Sequence, residues 1–125
     1  MATDLNKRER SIDMESILTS VKKICGIPEE YDAFDMDIIL HINSVFMILA
    51  QMGVGPTNAY RINDKNNEWT EFISTEDTNF ESVKTYVGLK VRLIFDPPQG
   101  SVTKECLKQM IDELEWRLNF QAELS

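Results

Sequence analysis

The residues of this chain that could do chemistry are few, and their spacing matches no established catalytic motif. The single histidine, His41, lies between Leu40 and Ile42 in an apolar stretch. No G-x-S-x-G turn is present to supply an activated nucleophile. A half-buried histidine satisfied by a backbone or side-chain partner explains this position best. An enzyme with a minimal site around His41 and nearby acids is therefore the least favoured hypothesis.

Metal and cofactor motifs are not indicated either. The sequence lacks the Cys/His spacing of a zinc site and the glycine spacing of a phosphate-binding loop. The carboxylate pairs Asp35/Asp37 and Glu113/Glu115 are two residues apart, so they diverge on a helix. We predict no catalytic residue, no cofactor and no metal, and we expect that the protein is not an enzyme.

The densest charged feature is a run of acids with no base among them. This acidic patch consists of Glu29, Glu30, Asp32, Asp35 and Asp37. Its spacing does not match the D-x-[DN]-x-[DN]-G calcium loop. Such a run is usually a solvated loop with acids placed favourably at a helix N-terminus. The alternative is an acidic surface that faces a partner protein or a DNA channel.

Length and charge narrow the function classes. The chain has 125 residues, a net charge of -8 and a mass of 14.4 kDa, which suits one domain and disfavours a broad basic surface that grips nucleic acid. No run approaches the roughly 20 apolar residues of a membrane span, and no secretory signal is visible. Without such a signal, Cys25 and Cys106 are predicted to be buried thiols of a reducing compartment.

The apolar periodicity predicts about four helices. The first helix is predicted over 14–24, with Asp13 as its N-cap. The second is predicted over 35–52, with Asp35 as its N-cap and Gly53 at the stop position.

Two competing patterns cover the region of the third helix. Thr78 and Glu81 have the spacing of a capping box and predict a helix over 79–95. The alternation of apolar residues over 87–95 is strand-like, so a strand stays an alternative there. The last helix is predicted to begin at Ser101.

An excursion over 54–74 separates helices two and three. Its turn formers predict either a small hairpin, with short strands at 60–62 and 68–69, or a less regular excursion, and Thr70 is a candidate cap for a helical turn through Ile73. Trp69 and Phe72 are expected to anchor it to the core.

The domain organisation follows from these elements. We expect a flexible arm at 1–12, a single helical domain at 13–121 and a C-terminal tail at 122–125.

The last helix carries apolar residues on two faces. Its main stripe comprises Leu107, Met110, Ile111, Leu114 and Leu118. Trp116 and Phe120 lie off this stripe, four residues apart, with Arg117 beside them. Either the two rings pack back on the domain, or they form an exposed anchor of the residue types enriched at interface hot spots.

Several phrases of the sequence resemble a known family over residues 14–121. These phrases are Asp37-Ile-Ile-Leu-His-Ile-Asn-Ser-Val-Phe-Met-Ile-Leu, Gly53-Val-Gly-Pro56, Val83-Lys-Thr-Tyr-Val, Lys90-Val-Arg-Leu-Ile-Phe-Asp-Pro-Pro98 and Glu115-Trp-Arg-Leu-Asn119. The chain is similar to the head–tail connector, or neck adaptor, proteins of tailed phages and prophages of Gram-positive bacteria.

The resemblance implies an all-α fold, a small antiparallel bundle of about four helices, and it favours the helix over the strand at 79–95. It also implies a virion subunit in the neck, present in the host cytoplasm during assembly. It implies a ring of copies, expected to number twelve, beneath the portal protein. The ring would extend the channel for double-stranded DNA without sequence-specific binding or membrane contact, and would dock a stopper or tail protein. We assign portal or neighbour docking to Trp116, Arg117, Asn119 and Phe120. The alternative function is a small acidic helical module of phage or prophage origin that regulates another protein.

Overall fold

A computed structural model describes residues 15–124 of the chain. Over that range the fold is all-α, with no strand, which confirms the predicted class. The five helices are α1 (Ile17–Ile24), α2 (Asp35–Met52), α3 (Trp69–Phe72), α4 (Phe80–Phe95) and α5 (Ser101–Leu124). The arm predicted at 1–12 and the cap predicted at Asp13 lie outside the described residues.

The central helix is α4, which packs against α1, α2 and α5. Its buried side chains therefore point in several directions, and this explains the nearly all-round apolar pattern that also resembled a strand. The helix alternative is confirmed. Gly88 is buried where α1 crosses α4, and a Cβ atom there would collide with the Ile24 side chain. The absent side chain thus permits the close approach of the two helices.

The directions of the long helices follow from contacts at their ends. Phe34, just before α2, lies 5.2 Å from Phe95 at the end of α4, measured between ring centroids. At the opposite end of the molecule, Gly53, Asn79 and Ala122 line one depression. Hence α4 runs antiparallel to both α2 and α5, while α2 and α5 run in the same direction.

Three predicted helix starts are corrected. The Ser16 hydroxyl caps α1 by accepting a 3.2 Å hydrogen bond from the Thr19 N–H, so the helix begins later than predicted. Asp35 is the first residue of α2 and makes no capping hydrogen bond. The capping box predicted for Thr78 and Glu81 is wrong, because Asn79 occupies the N-cap position without a side-chain capping bond.

The end of α2 is as predicted. Gly53 adopts a left-handed backbone with φ of 86°, and its N–H donates to the Ala50 and Leu49 carbonyls. Glycine adopts this conformation without the steric cost of a Cβ atom, which is why the helix stops there.

Of the two alternatives for 54–74, the hairpin is wrong and the less regular excursion is observed, while the helical turn predicted near 70–73 is present as α3. Neither predicted strand forms, and the only β-bridge among residues 15–124 joins Ser16 to Glu68. The Asn43 side chain replaces a strand partner: its Oδ1 accepts from the Ile62 N–H at 2.8 Å, and its Nδ2 donates to the Ile62 carbonyl at 3.1 Å. One amide side chain therefore satisfies both backbone groups of the buried Ile62.

The predicted anchors of the excursion are confirmed. Trp69 and Phe72 are buried on α3 and pack around Phe46 of α2, with centroid distances of 6.1 and 4.6 Å. The Trp69 indole Nε1 donates a 2.7 Å hydrogen bond to the buried Ser20 hydroxyl of α1. This bond joins the excursion to the first helix and satisfies the one polar atom of the buried indole.

Helix α2 is long and apolar enough to cross a membrane by length and composition, with 18 residues and a mean hydropathy of 1.2. Part of that hydropathy comes from side chains that are buried in the bundle. Its buried side chains are Ile38, Ile42, Val45, Phe46 and Leu49. The core helix of a bundle meets the same criteria as a membrane span, so length and composition alone do not identify a span here.

Candidate docking surface

The outward side of α5 carries the aromatic residues singled out in the sequence. The helix has 24 residues, of which only Leu107, Ile111 and Leu118 are buried. Trp116 lies nine residues after Leu107, which is two and a half turns, so it points away from the core. The long helix therefore presents one narrow face to the bundle and leaves a broad face to solvent.

Trp116 and Phe120 form an exposed aromatic ridge on this face. Their rings are stacked, 11° from parallel, with centroids 5.4 Å apart. Trp116 is 66% exposed and Phe120 is 45% exposed. The alternative in which both rings pack back on the domain is therefore wrong. An exposed, pre-stacked aromatic pair loses little side-chain entropy on binding and offers a large apolar area.

The other two predicted docking residues flank the ridge. Asn119 and Trp116 line a groove between α5 and α2, together with Ile48 and Met52. Arg117 lies on the opposite flank, and its Nη2 donates to Glu113 Oε1 at 2.7 Å in an exposed ion pair. The four residues thus share the outward part of one helix but face two sides of it.

A half-buried hydrogen bond joins α5 to α4 directly beside the ridge. The Tyr86 hydroxyl donates to Glu115 Oε2 at 2.9 Å, and Lys90 Nζ lies 3.8 Å from the same oxygen. Burial, followed by the hydrogen bond to the Glu115 carboxylate, raises the pKa of Tyr86. The hydrogen bond fixes the position of Glu115 against α4, and thereby the position of the adjacent Trp116 on the surface. Sequence reasoning missed this pair, because nothing in the spacing of Tyr86 and Glu115 indicates a contact.

A second exposed apolar surface lies on α2 and was not predicted. Its outer stripe consists of Met36, Leu40 and Met47, which are 82%, 64% and 59% exposed. The offsets of four and eleven residues place all three on one face of the helix. The three residues were recognisable in the sequence as apolar positions of this helix. They were not predicted to be exposed, because the helix also carries a strong core stripe and further apolar residues resembled additional core.

The acidic patch has both internal and exposed members. Asp35 is half-buried, and its Oδ1 lies 2.8 Å from Nζ of the buried Lys22. That ammonium also donates to the backbone carbonyls of Glu29 and Tyr31, at 3.0 and 2.6 Å. A buried lysine therefore holds the acidic loop against α1. The exposed members are Glu29, Glu30, Asp32 and Asp37.

The candidate reactive residues stand apart from one another. His41 is half-buried beside the Phe95 ring, at a centroid distance of 6.4 Å. Between residues 15 and 124, no three His, Cys, Asp or Glu side chains come together as metal ligands would. Cys25 is buried as predicted, and burial raises the pKa of its thiol to about 11. The prediction was wrong for Cys106, which is exposed on α5.

The most prominent surface feature is thus the aromatic ridge on a long helix. A family model described as phage connector protein matches residues 17–125. The chain belongs to this family. The match includes all five helices, and the family is structural rather than enzymatic. The connector has a head–tail connecting role in a phage, with a place in the neck of the virion. Comparison with curated proteins and with solved structures finds no significant match.

Proposed function

We propose that copies of this connector form a closed ring beneath the portal protein, extend its DNA channel and provide the platform for a stopper or tail protein. The observation that carries the proposal is the aromatic ridge on α5, exposed on a helix whose opposite face is part of the core. The family match supplies the location of the chain in the neck.

The size of the subunit supports a ring. A compact chain of 125 residues has a radius of gyration of about 14 Å. One such subunit is too small to enclose a DNA duplex, so a channel needs several copies. We propose twelve copies, related by a rotation axis along the channel.

The docking residues divide by chemistry. Trp116 and Phe120 are the apolar anchors, since large aromatic side chains supply most of the free energy at interface hot spots. Arg117 and Asn119 flank them and supply polar contacts at the rim. We propose that this surface contacts the portal or the neighbouring copy.

The charge of the connector supports a channel through which DNA slides. The net charge is -8, and the exposed acids Glu29, Glu30, Asp32 and Asp37 form its densest region. Strong phosphate contacts from clustered lysine and arginine would retard the duplex, whereas an acidic wall repels it. We therefore propose that DNA passes through the ring without sequence-specific binding.

Cosedimentation with purified portal particles tests this function. The unaltered chain is expected in the pellet with the portal, and the variant Trp116→Ala is expected to remain largely in the supernatant. Val102→Ala is the matched control, because Val102 is 76% exposed on the same helix but lies away from the ridge. An unaltered chain that stays monomeric in the supernatant would contradict the proposal. Its absence from purified virions by peptide mass spectrometry would favour the regulatory module instead.

A further inference from the structure

We propose that the aromatic ridge of one copy packs on the outer stripe of α2 of the neighbouring copy. Each subunit then contacts one neighbour through its ridge and the other neighbour through its stripe. This inference rests on the proposed ring and names the two surfaces that close it. The stripe consists of Met36, Leu40 and Met47, and the ridge of Trp116 and Phe120.

The outer stripe has the character of an interface. From Met36 to Met47 it extends about 16 Å along α2. From Ile42 to Met52 the helix contains no charged residue. Three large exposed apolar side chains on one helix face are typical of a contact with another protein.

The side chains of the two surfaces are complementary in kind. The ridge presents two rigid stacked rings, whereas the stripe presents two methionines and a leucine. Methionine is flexible, and its sulfur makes favourable contacts with aromatic rings. A stripe of this composition can adapt its shape to an inserted tryptophan.

The ridge does not cover the stripe of its own chain. Trp116 lines a groove with Ile48 and Met52, which lie on the α5 side of α2. Met36, Leu40 and Met47 lie opposite the buried face of α2, about a quarter turn around the helix from that groove, and all three remain more than half exposed. The stripe is therefore open to side chains from a neighbouring copy.

The directions of the helices distinguish a ring from a two-fold dimer. Helices α2 and α5 run in the same direction within one subunit. A rotation about an axis along these helices preserves direction, so α5 of one copy meets α2 of the next in parallel. A two-fold axis perpendicular to them would make the same contact antiparallel.

Charge complementarity selects the parallel arrangement. With Trp116 placed over Met47, Lys108 lies about 12 Å and Lys104 about 18 Å toward the start of α5. Asp37 lies about 15 Å toward the start of α2, next to the exposed acids of the 29–32 loop. Both lysines are exposed, and neither has an ion-pair partner among residues 15–124. The parallel contact brings the lysines beside the acids, and the antiparallel contact separates them.

Mixing two variants, each with one of the two surfaces disrupted, tests the proposal. The stripe variant is Leu40→Glu with Met47→Glu, and the ridge variant is Trp116→Ala with Phe120→Ala. Each variant alone is expected to be monomeric by light scattering under conditions where the unaltered chain forms rings. Their equimolar mixture is expected to form a heterodimer of about twice the subunit mass, because one intact contact can form but cannot propagate. Val102→Glu is the control and is expected to form rings.

The possible outcomes test the proposed contact and the proposed ring separately. A stripe variant that still forms rings, or a mixture that stays monomeric while the control assembles, overturns the proposed contact and leaves the ring intact. An unaltered chain that stays monomeric both alone and on portal particles overturns the ring itself. Thermal unfolding midpoints within a few degrees of the unaltered chain show that the variants fold.

A charge exchange tests the parallel register. Asp37→Lys or Lys108→Glu alone is expected to weaken assembly about three- to fivefold, the effect typical of one exposed ion pair. The double variant, which exchanges the two charges, is expected to recover most of the loss. Additive losses in the double variant would contradict the register.

Discussion

The Trp116 and Phe120 rings stack 11° from parallel on the outside of α5, while the other tryptophan, Trp69, is 1% exposed in the core. The chain thus contains two tryptophans in opposite environments. This contrast separates the contributions of aromatic residues to stability and to association, and it allows each to serve as the control for the other.

Replacing each tryptophan by alanine should affect different properties. Trp69→Ala removes a buried indole and its bond to Ser20, and we expect a loss of about 3–5 kcal/mol in the free energy of unfolding. Trp116→Ala should change that free energy by about 0.5 kcal/mol or less, because its ring is largely solvated. Urea unfolding and cosedimentation with portal measure the two effects. Equal losses of stability would place Trp116 in the core.

The Tyr86–Glu115 hydrogen bond should stabilise the packing of α5 on α4. Tyr86→Phe is expected to lower the free energy of unfolding by about 1–2 kcal/mol, because the hydroxyl bonds a carboxylate in the half-buried contact between α4 and α5. Tyr60→Phe is the matched control. The Tyr60 hydroxyl also donates to a carboxylate, Glu71, at 2.9 Å, but on the exposed surface. Its loss should cost about 0.5 kcal/mol or less, and a larger effect at Tyr60 would contradict this assignment.

The same tyrosine predicts a dependence on alkaline pH. Burial and Glu115 raise the pKa of Tyr86 above its ordinary value of 10.0. The unfolded chain therefore loses this proton first, and the stability is complete below about pH 10 and falls as pH rises toward the folded pKa. Urea unfolding at about pH 8 and about pH 11 should show this fall. Tyr86→Phe should reduce it, and an unchanged fall in that variant would exclude Tyr86 as a source.

The architecture was largely readable from periodicity, because long amphipathic helices with clear stops leave strong signals. The second helix was predicted over 35–52, with Gly53 at its stop, and is observed from Asp35 to Met52. The sequence did not decide between a hairpin and a less regular excursion, because the backbone of Ile62 bonds to the Asn43 side chain instead of a strand. A bond across 19 residues leaves no trace in local propensity.

The candidate site was only half predictable. The aromatic ridge lay off the core stripe by spacing alone, so Trp116 and Phe120 could be found. The outer stripe of α2 could not be separated from the core stripe, because both consist of apolar residues on one helix. Likewise, Asp35 was grouped with its acidic neighbours, and only the fold shows its pairing with the buried Lys22.

The two cysteines should differ in reactivity toward a thiol reagent at neutral pH. Cys106 is exposed and should react rapidly, giving one equivalent of label. Cys25 is buried with a pKa raised to about 11, so it is protonated and inaccessible in the folded chain. Its labelling should follow the rate of unfolding. Cys106→Ser should abolish the rapid phase, and rapid labelling of that variant would contradict the buried position of Cys25.

The crossing of α1 and α4 should depend on the size of residue 88. Gly88→Leu is expected to lower the free energy of unfolding by about 1–3 kcal/mol, because the new side chain collides with Ile24. Ile24→Ala should cost less in the Gly88→Leu background than in the unaltered chain, with a coupling of about 1 kcal/mol. A double-mutant cycle in urea measures this term. Strictly additive losses would show that the two residues do not share the crossing.

The mass of the assembled particle, alone and bound to the portal, tests the central claim most directly. Native mass spectrometry or light scattering should give a closed assembly near twelve times the subunit mass of 14.4 kDa. Addition of portal should give a larger complex with the same number of connector copies. A chain that remains a 14.4 kDa monomer in both conditions would contradict the account.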